Sequence, residues 1–545
     1  MTDRDTTVLG ADRACSSCKK NKRRCDKLLP ACASCVRSGR ECSYLNDTQS
    51  DELGDLQRRV RELEQTVSRL SGRDQPDSLS AAAARSPDLS TQAYFLDSEV
   101  WSSKGLSARS NLVSPRAIPP PDDVLSVIGR QNAIANIMNG YYQSIHSWMP
   151  FISKIKLERA IQQHYGRLGG DTALLLLTMM LVQLHPAANY PGFTELYNSA
   201  KRYSKTLGLE GVLTLRTIQA GILITIFELS HGIYPAAFFS ISYCARQSVV
   251  LGLHDKNAPQ MLRGPRSWVD WEERQRVWWA IVILDRYITV GGSHRPLCTS
   301  DPAPDTILPS NDDAWNNGEQ VAPDRVSLSS PTNHTLGSFA RLAQAANLLG
   351  RVINHLNETN LDTKLKLDDF ETLTQAIYSL VELLAVTSTG NSEASSPLNN
   401  AIAQAICYSA LFKLSDHHCS TLWEENGLVH HEAIAPRARE SMKTSFYIVR
   451  DTCSKATLLA RELANILEQQ QQGAPGNLDG FSPLVLECLY TCSQNLIWMR
   501  LETNNPEFDE WNGVVDGVLR GVKGRWGVAG VYLELLQVSE IGEDE

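Results

Sequence analysis

The chain is 545 residues long, 42% hydrophobic, and carries a formal net charge of −9. This length exceeds what one compact core accommodates, so several modules are expected. The longest apolar stretch, Thr172 to Leu184, is too short for a bilayer-spanning helix; it predicts a buried core helix and no membrane partner.

The first residues are polar and charged, without the apolar run of a secretory signal, so a reducing compartment is expected. Six of the 13 cysteines fall between Cys15 and Cys42. In a reducing compartment such clustering points to metal rather than to a disulfide knot. An acidic chain as a whole argues against nucleic acid, but its charge is unevenly placed. Ala11 to Leu45 holds nine Lys/Arg and three Asp/Glu, a net of +6, which leaves −15 for the rest. A small basic head on a large acidic body is the asymmetry of a chain in which one module binds DNA.

Residues 15–42 are the cysteine module. Cys15, Cys18, Cys25, Cys32, Cys35 and Cys42 follow Cys-x2-Cys-x6-Cys-x6-Cys-x2-Cys-x6-Cys, two near-copies of one unit. Zinc prefers four thiolates in a tetrahedron. Two separate sites need eight sulfurs, so six hold two Zn2+ ions only when two thiolates are shared. The repeat nominates the first cysteine of each unit, Cys15 and Cys32, as that pair. Between Cys18 and Cys25 lies Lys19-Lys20-Asn21-Lys22-Arg23-Arg24, expected as a short helix whose N-terminal part enters the major groove of double-stranded DNA. Lysine or arginine there can donate to guanine O6 and N7, and the remaining cations neutralise phosphates.

The stretch from Ala14-Cys15 to Cys25-Asp26, followed by Pro30-Ala31-Cys32-Ala33-Ser34-Cys35, resembles the fungal Zn2Cys6 binuclear zinc cluster regulators. The resemblance implies that Cys15 and Cys32 bridge. One zinc would add Cys18 and Cys25, the other Cys35 and Cys42, and Pro30 would shape the turn between the halves. It also implies that the lysine four residues after the second cysteine, here Lys22, reads CGG-type half-sites. Asn21 stands where some members carry a second basic reader, which leaves the triplet open. Lys19, Lys20, Arg23 and Arg24 are expected on phosphates. The basic run also reads as a nuclear import signal, and the module also reads as a zinc-bearing interaction scaffold.

Residues 43–52 form a polar linker. Over 53–71, Leu53, Val60 and Val67 fall at heptad position a, and Leu56, Leu63 and Leu70 at d. Valine at a with leucine at d favours a parallel two-stranded coil, so a homodimer is expected. A single amphipathic helix docked on the body is the competing reading. Residues 72–123, rich in Ser, Ala, Pro and Asp, are expected to be a disordered linker.

Residues 124–500 read as helical throughout, with polar loops near 299–335 and 387–398. Two segments resemble the regulatory middle homology domain of the same family. The first is Tyr141 to Ile152. The second runs from Ser248 to His254, then Glu272 to Ala280, Asp285-Arg286 and Arg295-Pro296. The resemblance implies an all-helical domain that represses or licenses activation, sometimes through a small-molecule effector. From the residues themselves, Val277, Ile281, Leu284 and Ile288 share one helical face and predict core packing. Glu272, Glu273, Arg274, Arg276, Asp285 and Arg286 read as intramolecular ion pairs rather than a ligand site. His417-His418-Cys419 looks like a metal cluster, but adjacent residues on a helix point apart. Cys244, Cys298, Cys407, Cys419, Cys453, Cys488 and Cys492 read as buried small hydrophobes.

Residues 501–545 hold ten acidic and three basic residues. They read either as an activation segment that docks transcriptional coactivators or as a terminal amphipathic helix packed on the body. Metalloprotease, nucleophile-elbow, phosphate-loop and dinucleotide motifs are lacking, so no enzyme is expected. The sequence as a whole predicts a mostly α chain acting in the nucleus as an RNA polymerase II transcription factor. The family resemblance implies an activator whose target is a metabolic pathway or a secondary-metabolite biosynthetic gene cluster.

Overall fold

The computed structural model describes residues 10–44, 89–103, 118–163, 168–185, 191–292, 294–319, 321–330, 336–358, 362–388, 397–419, 435–473 and 478–542. The chain divides into two compact units, Met1–Ser86 and Pro87–Glu545. The heptad residues Leu53 to Leu70 and the rest of 45–88 lie outside the described residues.

In the first unit two single-turn helices, α1 (Ser16–Lys20) and α2 (Ala33–Arg37), carry the cysteine repeat. Each is opened by the first cysteine of its unit. Cys15 Sγ accepts from the Cys18 amide and Cys32 Sγ from the Cys35 amide, both at 3.4 Å. Among the described residues of this unit those buried are Cys15, Cys18, Cys32 and Cys35, so the interior they form is sulfur rather than hydrocarbon.

The second unit is helical, with no strand among the described residues beyond an isolated bridge between Ile307 and Ser327. It opens with α3 (Leu89–Leu96), α4 (Ser98–Ser103), α5 (Asp122–Ile128), α6 (Gln131–Gln143), α7 (Ile145–Trp148) and α8 (Lys154–Gln163). The central layer is α9 (Gly170–Val182), α10 (Pro191–Leu209), α11 (Leu215–Ser230), α12 (Ala236–Leu251) and α13 (Trp268–Val290). After α14 (Asp312–Asn316) come α15 (Ser338–Asn357), α16 (Thr363–Ser388), α17 (Pro397–Cys419) and α18 (Ala435–Gly473). The unit ends with α19 (Leu486–Thr503), α20 (Glu507–Val522) and α21 (Gly527–Gly542). Helix α9 is the core helix expected from Thr172 to Leu184, and it packs on α11. Among the described residues no helix is long and apolar enough to cross a membrane.

Helix α13 is buried along most of its length, including Val277, Ile281, Leu284 and Ile288. Its charges pair internally. Arg276 binds Glu272 at 2.7 Å and Asp312 at 2.8 Å, and Arg286 binds Asp285 at 3.1 Å. Glu273 takes Lys156 at 2.6 Å, while Arg274 donates to the Arg263 carbonyl. Buried charges persist only when compensated in this way.

Two expectations are revised, and a third is decided between its two readings. The linker expected over 72–123 contains α3 and α4, anchored by aromatic residues. The Tyr94 hydroxyl donates to the Pro259 carbonyl at 3.0 Å, and Trp101 is buried against the Tyr94 ring. Of the two readings of 501–545, the packed one holds for its described residues: α20 and α21 pack on the body, with Phe508, Leu519 and Trp526 in the core. Cys298 is exposed, its thiol donating to Asp285 Oδ1 at 2.9 Å, whereas Cys244, Cys407, Cys453, Cys488 and Cys492 are buried as expected. The side chain of Cys419 lies outside the described residues. His418 faces His355, with their Nε2 atoms 3.4 Å apart, and Asp369 holds His355 Nδ1 at 2.7 Å.

Asp416, on α17, gives a pH-dependent prediction. Burial pushes its carboxyl up from 3.8 to about 6, against the opposing pull of Lys413 and Asn495. The raised folded value means that ionisation opposes folding. The penalty is absent below the unfolded value, grows between about 4 and 6, and is full above 6. Asp416→Asn is therefore expected to stabilise the body at pH 8 by on the order of 2 kcal/mol and to change little at pH 4. Urea melts at the two pH values check it; an equal shift at both would refute it.

Candidate metal centre and nucleic-acid interface

The six cysteines converge, and none is in a disulfide. Cys15 Sγ lies 3.7 Å from Cys32 Sγ and 3.6 Å from Cys35 Sγ; Cys18 Sγ lies 3.6 Å from Cys32 Sγ and 3.8 Å from Cys35 Sγ. Disulfide sulfurs sit about 2.05 Å apart. Tetrahedral zinc thiolates with bonds of about 2.3 Å hold their sulfurs about 3.8 Å apart. The observed spacing therefore fits thiolates around zinc. Cys15 also interacts with Cys42, and Cys32 with Cys25. The two first-of-unit cysteines thus each reach sulfurs of both units, while Cys25 and Cys42 sit half-buried at the rim.

Hydrogen bonding favours the ionised form of Cys32. Burial alone would raise its pKa, but the Cys35 amide and the neighbouring thiols outweigh burial and bring it down to about 6. Burial pushes the Cys15 thiol up.

Several polar contacts not assigned from the sequence hold the two halves together. Both oxygens of Asp26 accept the Ala33 amide, at 3.2 and 3.0 Å, placing an anion on the first turn of α2. The Tyr44 hydroxyl donates to the Leu28 carbonyl at 3.0 Å and lies 3.8 Å from Cys25 Sγ. Ser16 ties the start of α1 to the Ser43 carbonyl at 3.0 Å. Asp26 was visible in the motif as the acid after the third cysteine, but its partner seven residues away was not.

The short helix expected over the basic run covers only its first part. Helix α1 stops at Lys20, and Asn21 caps it, its side chain donating to the Ser17 carbonyl at 2.8 Å. Lys22 then adopts the left-handed conformation, with φ of 49°. The Lys22 amide donates to Lys19 and the Arg23 amide to Cys18, which closes the helix end. In the second unit Gly39, with φ of 63°, makes the same turn: Gly39 donates to Val36 and Arg40 to Cys35. Glycine is the usual residue at such a position, and a side chain there costs about 1–2 kcal/mol. The repeat therefore spends glycine in one half and lysine in the other. Lys22 leaves the helix C-terminus at the turn, between Lys19 and Lys20 on α1 and Arg23 and Arg24 beyond, all five exposed.

The model of the fungal Zn(2)-Cys(6) binuclear cluster domain matches residues 13–51, and that of the fungal specific transcription factor domain matches residues 138–400. A transcription factor of Botryotinia fuckeliana (strain B05.10) is 42% identical over 185 residues, which is 34% of this chain and 99% of the relative. The chain belongs to the fungal Zn2Cys6 transcription factors. A pigment biosynthesis transcriptional activator of Monascus ruber is 24% identical over 363 residues, 63% of this chain and 61% of the relative. A depudecin biosynthesis cluster-specific transcription activator of Fusarium langsethiae is 23% identical over 357 residues, 51% of this chain and 56% of the relative. This Zn2Cys6 factor is thus a DNA-binding regulator rather than an enzyme, and its cluster domain takes two zinc ions.

Proposed function

We propose that this Zn2Cys6 factor acts in the nucleus as a homodimeric activator of one metabolic pathway or secondary-metabolite gene cluster, and that it reads CGG-type half-sites through Lys22. The carrying observation is that lysine occupies a left-handed helix-end position where its pseudo-repeat partner is glycine. Strain of this kind persists where function needs it. Cys15 and Cys32 bridge the two zinc ions, Cys18 and Cys25 complete one site, and Cys35 and Cys42 the other; the central position of Cys15 and Cys32, 3.7 Å apart and close to sulfurs of both units, supports their sharing. Lys19, Lys20, Arg23 and Arg24 hold phosphates, and Asn21 sets the turn beside the reader.

Leu53, Leu56, Val60, Leu63, Val67 and Leu70 pair two chains, so that two heads meet two half-sites. Coactivators dock on the outer face of α21, where Val531, Leu535 and Val538 are exposed beside Glu534. The activating role and the gene-cluster target rest on the Monascus and Fusarium relatives, which are an activator of pigment biosynthesis and a cluster-specific activator.

Two substitutions at one position test the reader. Lys22→Ala is expected to erase the preference for CGG over scrambled sites, leaving weak, salt-sensitive binding. Lys22→Gly is expected to do the same while stabilising the zinc-loaded head by about 1 kcal/mol, because it relieves the left-handed strain. Gel shifts at two salt concentrations and thermal melts read both effects. Unchanged site preference in either variant would remove Lys22 as reader.

A further inference from the structure

The outer faces of α10, α12 and α21 join into one exposed apolar strip. On α12, Phe239 is 65% exposed and Tyr243, one turn later, 54%. The Tyr243 hydroxyl lies against Gly208, where an added Cβ would meet it at 3.0 Å, so the strip continues onto the exposed Leu209 at the end of α10. In the other direction it passes Tyr234, exposed in the turn before α12. In that turn Gly232 lies against α21, where an added Cβ would come within 3.3 Å of Val531 Cγ2. Val531, Leu535 and Val538 share one face of α21, are all exposed, and complete the strip. Continuous apolar exposure of this kind marks a binding surface, whereas single exposed apolar residues do not.

The two ends of the strip differ in charge. Arg246 extends the Phe239–Tyr243 face by one turn, and Lys205 stands one turn before Leu209; both are exposed, and neither is in an ion pair among the described residues. At the other end Glu534 is exposed beside Leu535, also without an ion pair among the described residues. From Glu534 to Glu545 the sequence holds five acids and no Lys or Arg.

We propose that this strip is a contact between two copies of the chain, related by a twofold axis near Tyr234 and Phe239. The acidic α21 end of one copy then faces the basic α12 end of the other. A twofold makes that match in both directions at once, because each copy supplies both ends. The apolar middle of each copy covers that of its partner, and the opposite charges fix the sense of the pairing. A partner of uniform charge would match one end and be repelled by the other. This contact goes beyond the pairing through Leu53 to Leu70 and does not depend on it. Coactivators that dock on the outer face of α21 compete with it.

The test is sedimentation velocity of the full-length, zinc-loaded protein at micromolar concentration. Leu56→Glu with Leu63→Glu blocks the heptad seam, and this chain is expected to remain dimeric. Adding Phe239→Glu is expected to make it monomeric. That side chain is exposed, so the fold tolerates the change, and an unchanged urea melt verifies this. Adding Arg246→Glu instead is expected to weaken the dimer at least about tenfold, and Glu534→Arg on top of it to regain most of the loss. A heptad-blocked chain that is monomeric, a dimer indifferent to Phe239→Glu, or a charge reversal without rescue overturns the proposal. Phe239→Glu with the heptads intact separates the two contacts. It is expected to stay dimeric; a monomer there would remove the heptad pairing and leave the strip.

Discussion

Replacing Cys32 with serine is expected to strip both zinc ions from the head and reduce DNA binding to its salt-sensitive, sequence-independent remainder. Among its described residues the head has no hydrocarbon core to fall back on, because those that are buried are the cysteines themselves. In so small a unit, metal binding free energy is folding free energy, about 10–16 kcal/mol for a structural zinc. Cys32 meets Cys15, Cys18 and Cys35 and interacts with Cys25, so losing it removes a ligand from both proposed sites. Serine still accepts the Cys35 amide as a helix cap, so α2 keeps its start and the loss is one of metal ligation. Cys25→Ser removes a rim ligand from one site only and is expected to retain about one zinc. The specific component of binding, about 10³–10⁷ over non-specific, should vanish in Cys32→Ser. Zinc counted by atomic absorption, together with gel shifts, measures this. Two zinc ions retained in Cys32→Ser would refute the shared-thiolate assignment.

How much of this the sequence revealed depends on the range of the interactions involved. The zinc head was legible because ligand identity and spacing are local and few other structures satisfy them. Its basic loop was half legible. The basic run was plain, but α1 ends at Lys20 because the Arg23 amide closes onto Cys18, and no local propensity marks a lysine for a left-handed turn. Helix α13 announced its buried face by periodicity. Its local ion pairs, Arg276 with Glu272 and Arg286 with Asp285, were legible as well, whereas the distant ones were hidden, since Arg276 also finds Asp312, and Glu273 finds Lys156, across long stretches of chain. The same limit explains the linker. Ser and Pro set the composition of 72–123, but two aromatic side chains, Tyr94 and Trp101, supply enough buried surface to fix α3 and α4. Net acidity likewise obscured the end of the chain, where Phe508, Val515, Val518, Leu519 and Val522 recur on one face of α20.

That buried face makes the last segment part of the regulatory domain's core, so removing residues 501–545 is expected to prevent the body from folding. Phe508, Val515, Val518, Leu519, Val522, Trp526, Leu533 and Leu536 are all buried. At about 1.5–3 kcal/mol per large side chain they contribute about 12–24 kcal/mol, an upper bound that exceeds the 5–15 kcal/mol by which a typical domain is stable. Arg525 shows how the segment is joined. It is fully buried, donates to the Val182 carbonyl at 2.8 Å and the Leu184 carbonyl at 3.1 Å, and its guanidinium lies 3.8 Å from the Trp526 ring centre. A cation there satisfies the carbonyls at the C-terminal end of α9 and complements its dipole. Arg525→Met keeps most of the packing but strands those carbonyls, and is expected to cost about 2–4 kcal/mol. Denaturant melts of the full chain measure that loss, and limited proteolysis reports whether the truncated chain retains a folded body. A soluble, protease-resistant body without residues 501–545 would show that the segment is dispensable. In that case the coactivator surface proposed on α21 would be separable from the body rather than part of its fold.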